Sequence, residues 1–320
     1  MRRAAIALLL MAGFPCLAWA KDKPNIILFL VDDMGWTDCG AYGSQYYETP
    51  NVDQFAAQSM LFTDAYAHPL CSPSRASIMT GQEETRHGIM SAHGHQEPDP
   101  PGPQVFQENP PATQPFLLPK SRQYLDPETV TLAEGHPSPK HRVGNITDGP
   151  DKIPAGTTSD AIINNIDLYP TLLELAGVPL PENHVMDGLS FAPVLLEGKD
   201  FPRDTSFSWF PYHDAGISVR KGDWKLIRRF KENPKYYAGL VELYHLKDDL
   251  GETNNLAKQM PGKVAELGKL IDRHFIETGG LYPKPNPAFG EQAKALEIQS
   301  IRWDAEGQKG VAWDFSDVAP

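Results

Sequence analysis

The clearest signal along the chain is where apolar residues run together and where they space out. Ile26 to Val31 is six apolar residues in a row, bounded by Pro24-Asn25 and Asp32-Asp33. Such a run predicts a strand buried on both faces of a parallel sheet. Asn51 to Ser59 reads as a short helix with Pro50 as its start signal. Met60 to Ala67 predicts a second strand, and Pro73 to Thr80 a helix closed by Gly81. Between Pro98 and Pro119 prolines crowd and periodicity fails, which predicts an extended excursion over the surface. Thr129 to Glu134 opens like an amphipathic helix, but Gly135-His136-Pro137 stops it within a turn. From His136 to Asp151 there is almost nothing apolar to bury, a local conflict with a well-formed fold.

Regular patterning returns at Ser159. Asp160 to Gly177 predicts a short strand running into a helix, stopped by Gly177 and Pro179. Ile217 to Arg220 and Trp224 to Ile227 flank Lys221-Gly222-Asp223, a hairpin signal, and Val241 to Leu246 adds another strand. Val264 to Phe275 has the spacing of an amphipathic helix, while the last thirty residues are turn-rich and carry no pattern.

Composition narrows the partners. Hydrophobic residues are 41% and charged residues 22% of 320, enough for a real core. Lysine and arginine number 29 against 41 acids, a net charge of −12, which speaks against nucleic acid as a partner. An anionic substrate held in a local cationic pocket stays open. Arg2 and Arg3 precede an apolar run to Leu17, and Ala18-Trp19-Ala20 offers small residues for cleavage. This predicts a signal peptide over residues 1–20 and an exported chain, periplasmic or secreted, without a membrane anchor. Removing it leaves Cys39 and Cys71, either as one disulfide or with one of them reserved for chemistry.

Two places carry chemistry. Asp32 and Asp33 follow the first predicted strand, where ligands bind in parallel sheets. Adjacent carboxylates repel unless something cationic sits between them, so a divalent ion such as Ca²⁺ or Mg²⁺ competes with a simple capped turn. Cys71-Ser72-Pro73-Ser74-Arg75 places a nucleophile at a helix N-terminus and brings Arg75 back to the same face. That combination suits a tetrahedral oxyanion, and equally describes a buried cysteine beside a surface arginine.

Cys71-Ser72-Pro73-Ser74-Arg75 with Thr80-Gly81 resembles the C-x-P-S-R signature of the type I sulfatases, arylsulfatase-like members of the alkaline phosphatase superfamily. Pro24-Asn25-Ile26-Ile27, Asp32-Asp33-Met34-Gly35, Thr49 to Asp53, Ile166 to Leu172, Asp187-Gly188, Arg220 to Leu226 and Glu252 to Leu256 are similar to that family in the same order. The resemblance implies an α/β sheet flanked by helices with a small C-terminal antiparallel subdomain, divided here as a catalytic domain over 21–200 and a subdomain over 201–320. It implies hydrolysis of a sulfate ester, on a route that meets sulfated saccharides. It also implies that a maturation enzyme oxidises Cys71 to formylglycine, whose hydrated form attacks sulfur to give a covalent sulfo-enzyme. Asp32 and Asp33, with the converted Cys71, would hold calcium, and Arg75 would steady the nucleophile.

The family's Gly-Lys-Trp-His block, its later Asp-Asn pair and its sulfate-holding lysine have no counterpart here. Missing internal segments are expected, with junctions near Glu134/Gly135 and Asp151/Lys152 and an incomplete central sheet. Substitutes within the anomalous stretch are His136, Lys140 and His141, with His213 later, each weighed against a solvated loop residue. Asn145-Ile146-Thr147 is a glycosylation sequon. A catalytically impaired remnant and a phosphate- or phosphonate-ester hydrolase are the alternatives to an active sulfatase.

Overall fold

The structure is a computed structural model. It describes residues 25–92, 102–110, 114, 116–133, 153–211, 215–230 and 240–289. The signal-peptide region, both expected junctions, His136, Lys140, His141, the sequon at Asn145, His213 and the last thirty residues lie outside the described residues. Among the described residues no helix is long and apolar enough to cross a membrane.

Helix α1 (Pro50–Ala57) starts with proline in its first turn, where a missing N–H costs nothing. Strands β1 (Met60–Phe62) and β2 (Ala65–Tyr66) follow. Helix α2 (Cys71–Thr80) ends on Gly81, whose φ of 66° is a left-handed cap. A side chain there would also collide with Met186 and Tyr169. The short α3 (Glu84–His87) and strand β3 (Phe116–Leu117) come next. Then β4 (Thr157–Ser159) pairs parallel with β1, and β5 (Ile163–Asn164) parallel with β2. The chain crosses back over these short pairs through α4 (Leu168–Leu175) and α5 (Ala192–Glu197). Phe191, Val194 and Leu195 pack there on Ile163, with Met60 and Phe62 at the edge.

The later half is better covered. Strands β6 (Thr205–Phe210), β7 (Gly216–Lys221), β8 (Trp224–Arg229) and β9 (Val241–His245) form an antiparallel sheet in sequential order. The β7–β8 turn is Gly222-Asp223, with Gly222 at φ 54°. Helix α6 (Pro261–Thr278) lays Val264, Leu267, Ile271 and Phe275 on this sheet. They meet Trp209, Ile217, Val219, Leu226 and Leu243, all fully buried. Each such side chain is worth roughly 1.5–3 kcal/mol of burial. Strand β10 (Lys284–Pro285) closes onto β3 in antiparallel register.

One expectation fails. Ile26 to Val31 joins none of the named strands; only Leu28 sits in a bridge, and Ile27, Phe29, Leu30 and Val31 are 44–66% exposed. A run that is apolar on both sides needs neighbours on both sides, and β1 to β5 are pairs of two or three residues that do not enclose it. As the sequence predicts, the described residues 129–133 form no helix, only a turn at Leu132-Ala133 held by a bond from the Leu132 N–H to the Met79 carbonyl (2.7 Å). The glycine and prolines that follow leave too few residues to nucleate one.

Candidate active site

The ends of β2 and β5 open into a cavity of about 590 Å³. Asp32, Asp33, Cys71, Arg75, Asn164 and Asn165 all line it. This is the carboxyl end of a parallel strand pair, where backbone direction leaves room for a ligand.

Each residue arrives by a local cause. β2 runs out through Ala67 to Leu70 and delivers Cys71 as the first residue of α2. The Ser74 hydroxyl donates to the His68 carbonyl (2.8 Å) and fixes that approach. Cys71 is half-buried and its thiol is free. Asp32 and Asp33 form a turn in which Asp33 has φ 56°, a left-handed conformation that aspartate tolerates better than most residues. Arg75, one turn into α2, donates from Nη2 to Asp32 Oδ2 at 3.0 Å. The cation expected beside the Asp32-Asp33 pair is therefore supplied in part by the protein itself.

Cys39 is corrected. It is buried and free, its Sγ 3.8 Å from Asp53 Oδ1 and 3.6 Å from Thr49 Oγ1, and it makes no disulfide with Cys71. It is held in the α1 neighbourhood, while Cys71 lies at the cavity.

The charge that remains near the site is buried beneath α2. His68 sits between two acids, Nε2 3.3 Å from Glu83 and Nδ1 3.9 Å from Glu84. Burial lowers its pKa to about 3, with His274 adding to the fall. Burial, then Asp187, raises Glu83 to about 8. Glu84 is raised well above the carboxylate range, burial again leading. The cluster is thus neutral near pH 7, as a desolvated interior demands. His68 contributes to the cavity wall, but its side chain is fully enclosed, so it offers no acid to a ligand.

The Asp187-Gly188 step has a packing reason. The Gly81 carbonyl accepts both the Asp187 and Gly188 N–H groups (2.9 and 3.0 Å). A Cβ on Gly188 would meet the Ile166 carbonyl at 2.1 Å. Asp187 then takes a two-pronged grip from Arg86, at 2.6 to 3.1 Å. This residue pair locks α2 and α3 to the segment after α4.

Sequence reasoning passed over Asn164 and Asn165. They are 3% and 6% exposed. The Asn164 amide N–H donates to Ser206 Oγ (3.0 Å) and the Phe207 carbonyl (3.3 Å). That of Asn165 donates to the Ser74 carbonyl (3.2 Å). Carbonyl acceptors fix which end of each amide is nitrogen. Both Oδ1 atoms are left buried with no hydrogen-bond partner. A buried acceptor without a donor costs about 1–3 kcal/mol. The only trace in the sequence is a polar doublet between Ile163 and Ile166.

The calcium implied by the resemblance can be tested on these atoms. Among the described residues no three His, Cys, Asp or Glu side chains come together as a metal cluster, so Asp32, Asp33 and Cys71 are not a ligand set on their own. Calcium takes six to eight oxygens, amide carbonyls included. Two unpartnered buried amide oxygens on the wall that carries Asp32 and Asp33 fit such an ion.

Comparison with known proteins places these features. Residues 24–118 match the Sulfatase family model and residues 139–276 match the model described as N-sulphoglucosamine sulphohydrolase, C-terminal. The chain is 53% identical over 77 residues to N-acetylgalactosamine-6-sulfatase of Sus scrofa, covering 24% of this chain and 15% of that protein. It is 42% identical over 116 residues to arylsulfatase A of Bos taurus, covering 36% and 18%. The matched stretch thus spans less than a fifth of either relative. Among solved structures, a 2-O GAG sulfatase aligns with TM-score 0.56 at 17% identity, over 84% of this chain and 96% of that one. A sulfatase from Pseudoalteromonas sp. aligns with TM-score 0.53 at 14% identity, over 80% and 90%. The fold is the alkaline-phosphatase-like α/β arrangement with a small antiparallel sheet, and the two matched stretches, 24–118 and 139–276, are both similar to sulfatase models.

Proposed function

We propose that the chain is a sulfuric ester hydrolase, acting on sulfated saccharides, with Cys71 as the precursor of its nucleophile. The observation that supports this best is the meeting of Cys71, Arg75, Asp32 and Asp33 on one cavity at the start of α2. Conversion of Cys71 to formylglycine by a maturation enzyme would supply an oxygen nucleophile. Asp32 and Asp33, with the converted residue 71 and further oxygen donors on the same wall, would hold calcium, which when bound would polarise the sulfate oxygens.

The chain's own residues do the rest. The N-terminal end of α2 carries partial positive charge toward residue 71, which favours the negative charge growing on sulfate. Arg75 is about half exposed, so its guanidinium holds Asp32 on one side and faces the cavity on the other. That divided role both orients Asp32 and offers N–H donors to an oxyanion. No open histidine stands on the wall among the described residues to protonate the leaving group, since the His68 ring is enclosed and burial lowers its pKa to about 3. Esters whose leaving group needs no protonation, aryl sulfates first, are the substrates this site should cleave fastest. Export through residues 1–20, to the periplasm or outside the cell, belongs to the same reading.

The second reading is an impaired member of the family, shortened near 134–152. The exposure of Phe29 and its apolar neighbours favours it, because a completed sheet would cover them. One experiment separates the two. The chain is co-expressed with a formylglycine-generating enzyme and assayed on an aryl sulfate with calcium, beside Cys71→Ala. Turnover lost in Cys71→Ala supports the hydrolase; no turnover from a chain whose residue 71 is shown to be aldehyde supports the impaired form.

A further inference from the structure

We propose that Asn164 and Asn165 form the amide-oxygen side of a divalent-cation site whose carboxylate side is Asp32 and Asp33. This deepens the reading of the cavity as the ester-cleaving site, and assigns to the ion two donors that family resemblance does not point to.

The argument starts from what the two amides lack. Each spends its N–H donors on the protein: Asn164 on Ser206 and Phe207, Asn165 on Ser74. Each is left with an oxygen that accepts nothing, on residues at least nine-tenths buried, in the wall of the cavity. A sulfate oxygen cannot satisfy an acceptor; only a donor or a cation can. Asp32 and Asp33 share that wall and bring two negative charges, only one of which is met by Arg75. Hard oxygen donors of both charged and neutral kinds are what calcium takes, and neutral amides complete a shell without adding repulsion.

The backbone holds the pair in place. Asn164 ends β5, in register with Tyr66 of β2, so it lies beside the strand that leads to Cys71. Its N–H donates to Asp167 Oδ2 (2.7 Å), and Asp167 Oδ1 accepts from Leu189 N–H (2.8 Å). Arg203 pairs with that same fully buried carboxylate. The turn at 164–167 is therefore pinned from three directions. Asn165 in turn ties β5 to the first turn of α2 through the Ser74 carbonyl. A cation bound here would bridge the two segments that carry the nucleophile and the acids.

The test is cation binding to the full chain, read by Tb³⁺ luminescence and by Ca²⁺ titration calorimetry, independent of turnover. One site is expected, with Ca²⁺ displacing Tb³⁺. Asn165→Leu should weaken binding by no less than the ~10–100-fold that loss of an outer-shell partner costs a metal site. Asn165→Asp should restore it. Asn164→Leu also removes bonds to Ser206 and Phe207, so Asn164→Asp, which keeps an oxygen, is its companion, and circular dichroism checks the fold of each. Binding unchanged in Asn165→Leu, or no Ca²⁺ binding by the parent chain, overturns the proposal. Aryl sulfate turnover measured on the same preparations separates the two readings. Binding that needs Asn165 without turnover sinks the hydrolase and keeps the ion site. Turnover with binding indifferent to Asn165 does the reverse.

Discussion

Nη2 of Arg75 lies 3.0 Å from Oδ2 of Asp32, across 43 residues of sequence, with both side chains slightly more than half exposed. The pair ties α2 to the end of the extended 26–31 segment. An ion pair this open to solvent is worth about 0–1 kcal/mol. Arg75→Ala should therefore shift the melting temperature by no more than about 4 °C, yet cut aryl sulfate turnover by ~10²-fold or more if its free edge meets the developing charge. A thermal melt and a kcat/KM measurement on the matured chain decide it. A drop in stability without a drop in kcat/KM would make Arg75 a strut.

How stability follows pH is set by the enclosed acids and imidazoles under α2. Burial, then Asp187, lifts Glu83 from 4.5 to about 8. Burial leads in dropping His68 from 6.5 to about 3 and His274 to about 4. Between pH 6.5 and 8 the unfolded chain has released the Glu83 proton and the folded chain still holds it. Stability must therefore fall as pH rises there, by up to about 1.4 kcal/mol per pH unit for each such group. From pH 6.5 down to the folded values of about 4 and about 3, the unfolded histidines are protonated and the folded ones are not, so their contribution to stability falls as pH drops. Urea midpoints from pH 4 to 8.5 should peak where those windows meet. Glu83→Gln should flatten the alkaline side, and a slope equal to the parent's would mean that Glu83 is already ionised in the fold.

What could be read from the sequence was local. Gly81 after a helical run, Gly222-Asp223 between two alternating segments, and the spacing of Val264, Leu267, Ile271 and Phe275 each act within a few residues, and each appears where its pattern places it. Cys71 and Arg75 came together for the same reason, being one helical turn apart. The lining of one cavity by Asp32 and Cys71 depends instead on β2 and the Arg75 bond. The amides of Asn164 and Asn165 were illegible because their meaning lies in partners: donors matched by a hydroxyl 42 residues away and carbonyls 43 and 91 residues away, and oxygens matched by none. His68 carries no signal of its own in the sequence, and only its enclosure between Glu83 and Glu84 marks it out.

In the antiparallel half the decisive contact is ionic. Arg228 Nη1 is 2.7 Å from Asp272 Oδ1, with both side chains at most 2% exposed. Tyr282 Oη is 2.7 Å from the same nitrogen. Asp272→Ala removes this carboxylate from a buried guanidinium and should cost about 3–5 kcal/mol. That is a melting shift on the order of 10 °C. Asp272→Asn, which keeps an acceptor, should cost clearly less. Equal losses in the two variants would show that packing at α6, and not the charge, carries the effect.

Phe29 tests the open side of the molecule. Its ring is 66% exposed, in a run whose composition calls for burial on both faces. Phe29→Ser therefore removes little buried area and should change stability by less than about 0.5 kcal/mol. It should also reduce self-association, since an exposed apolar run with unpaired strand edges is a template for other chains. If the run were instead enclosed in a sheet, removing the ring would open a cavity and cost about 3–5 kcal/mol. Urea melts give the first quantity and sedimentation velocity the second. A loss of several kcal/mol with unchanged association would mean that Ile26 to Val31 is covered after all, and the impaired reading would lose the observation that favours it.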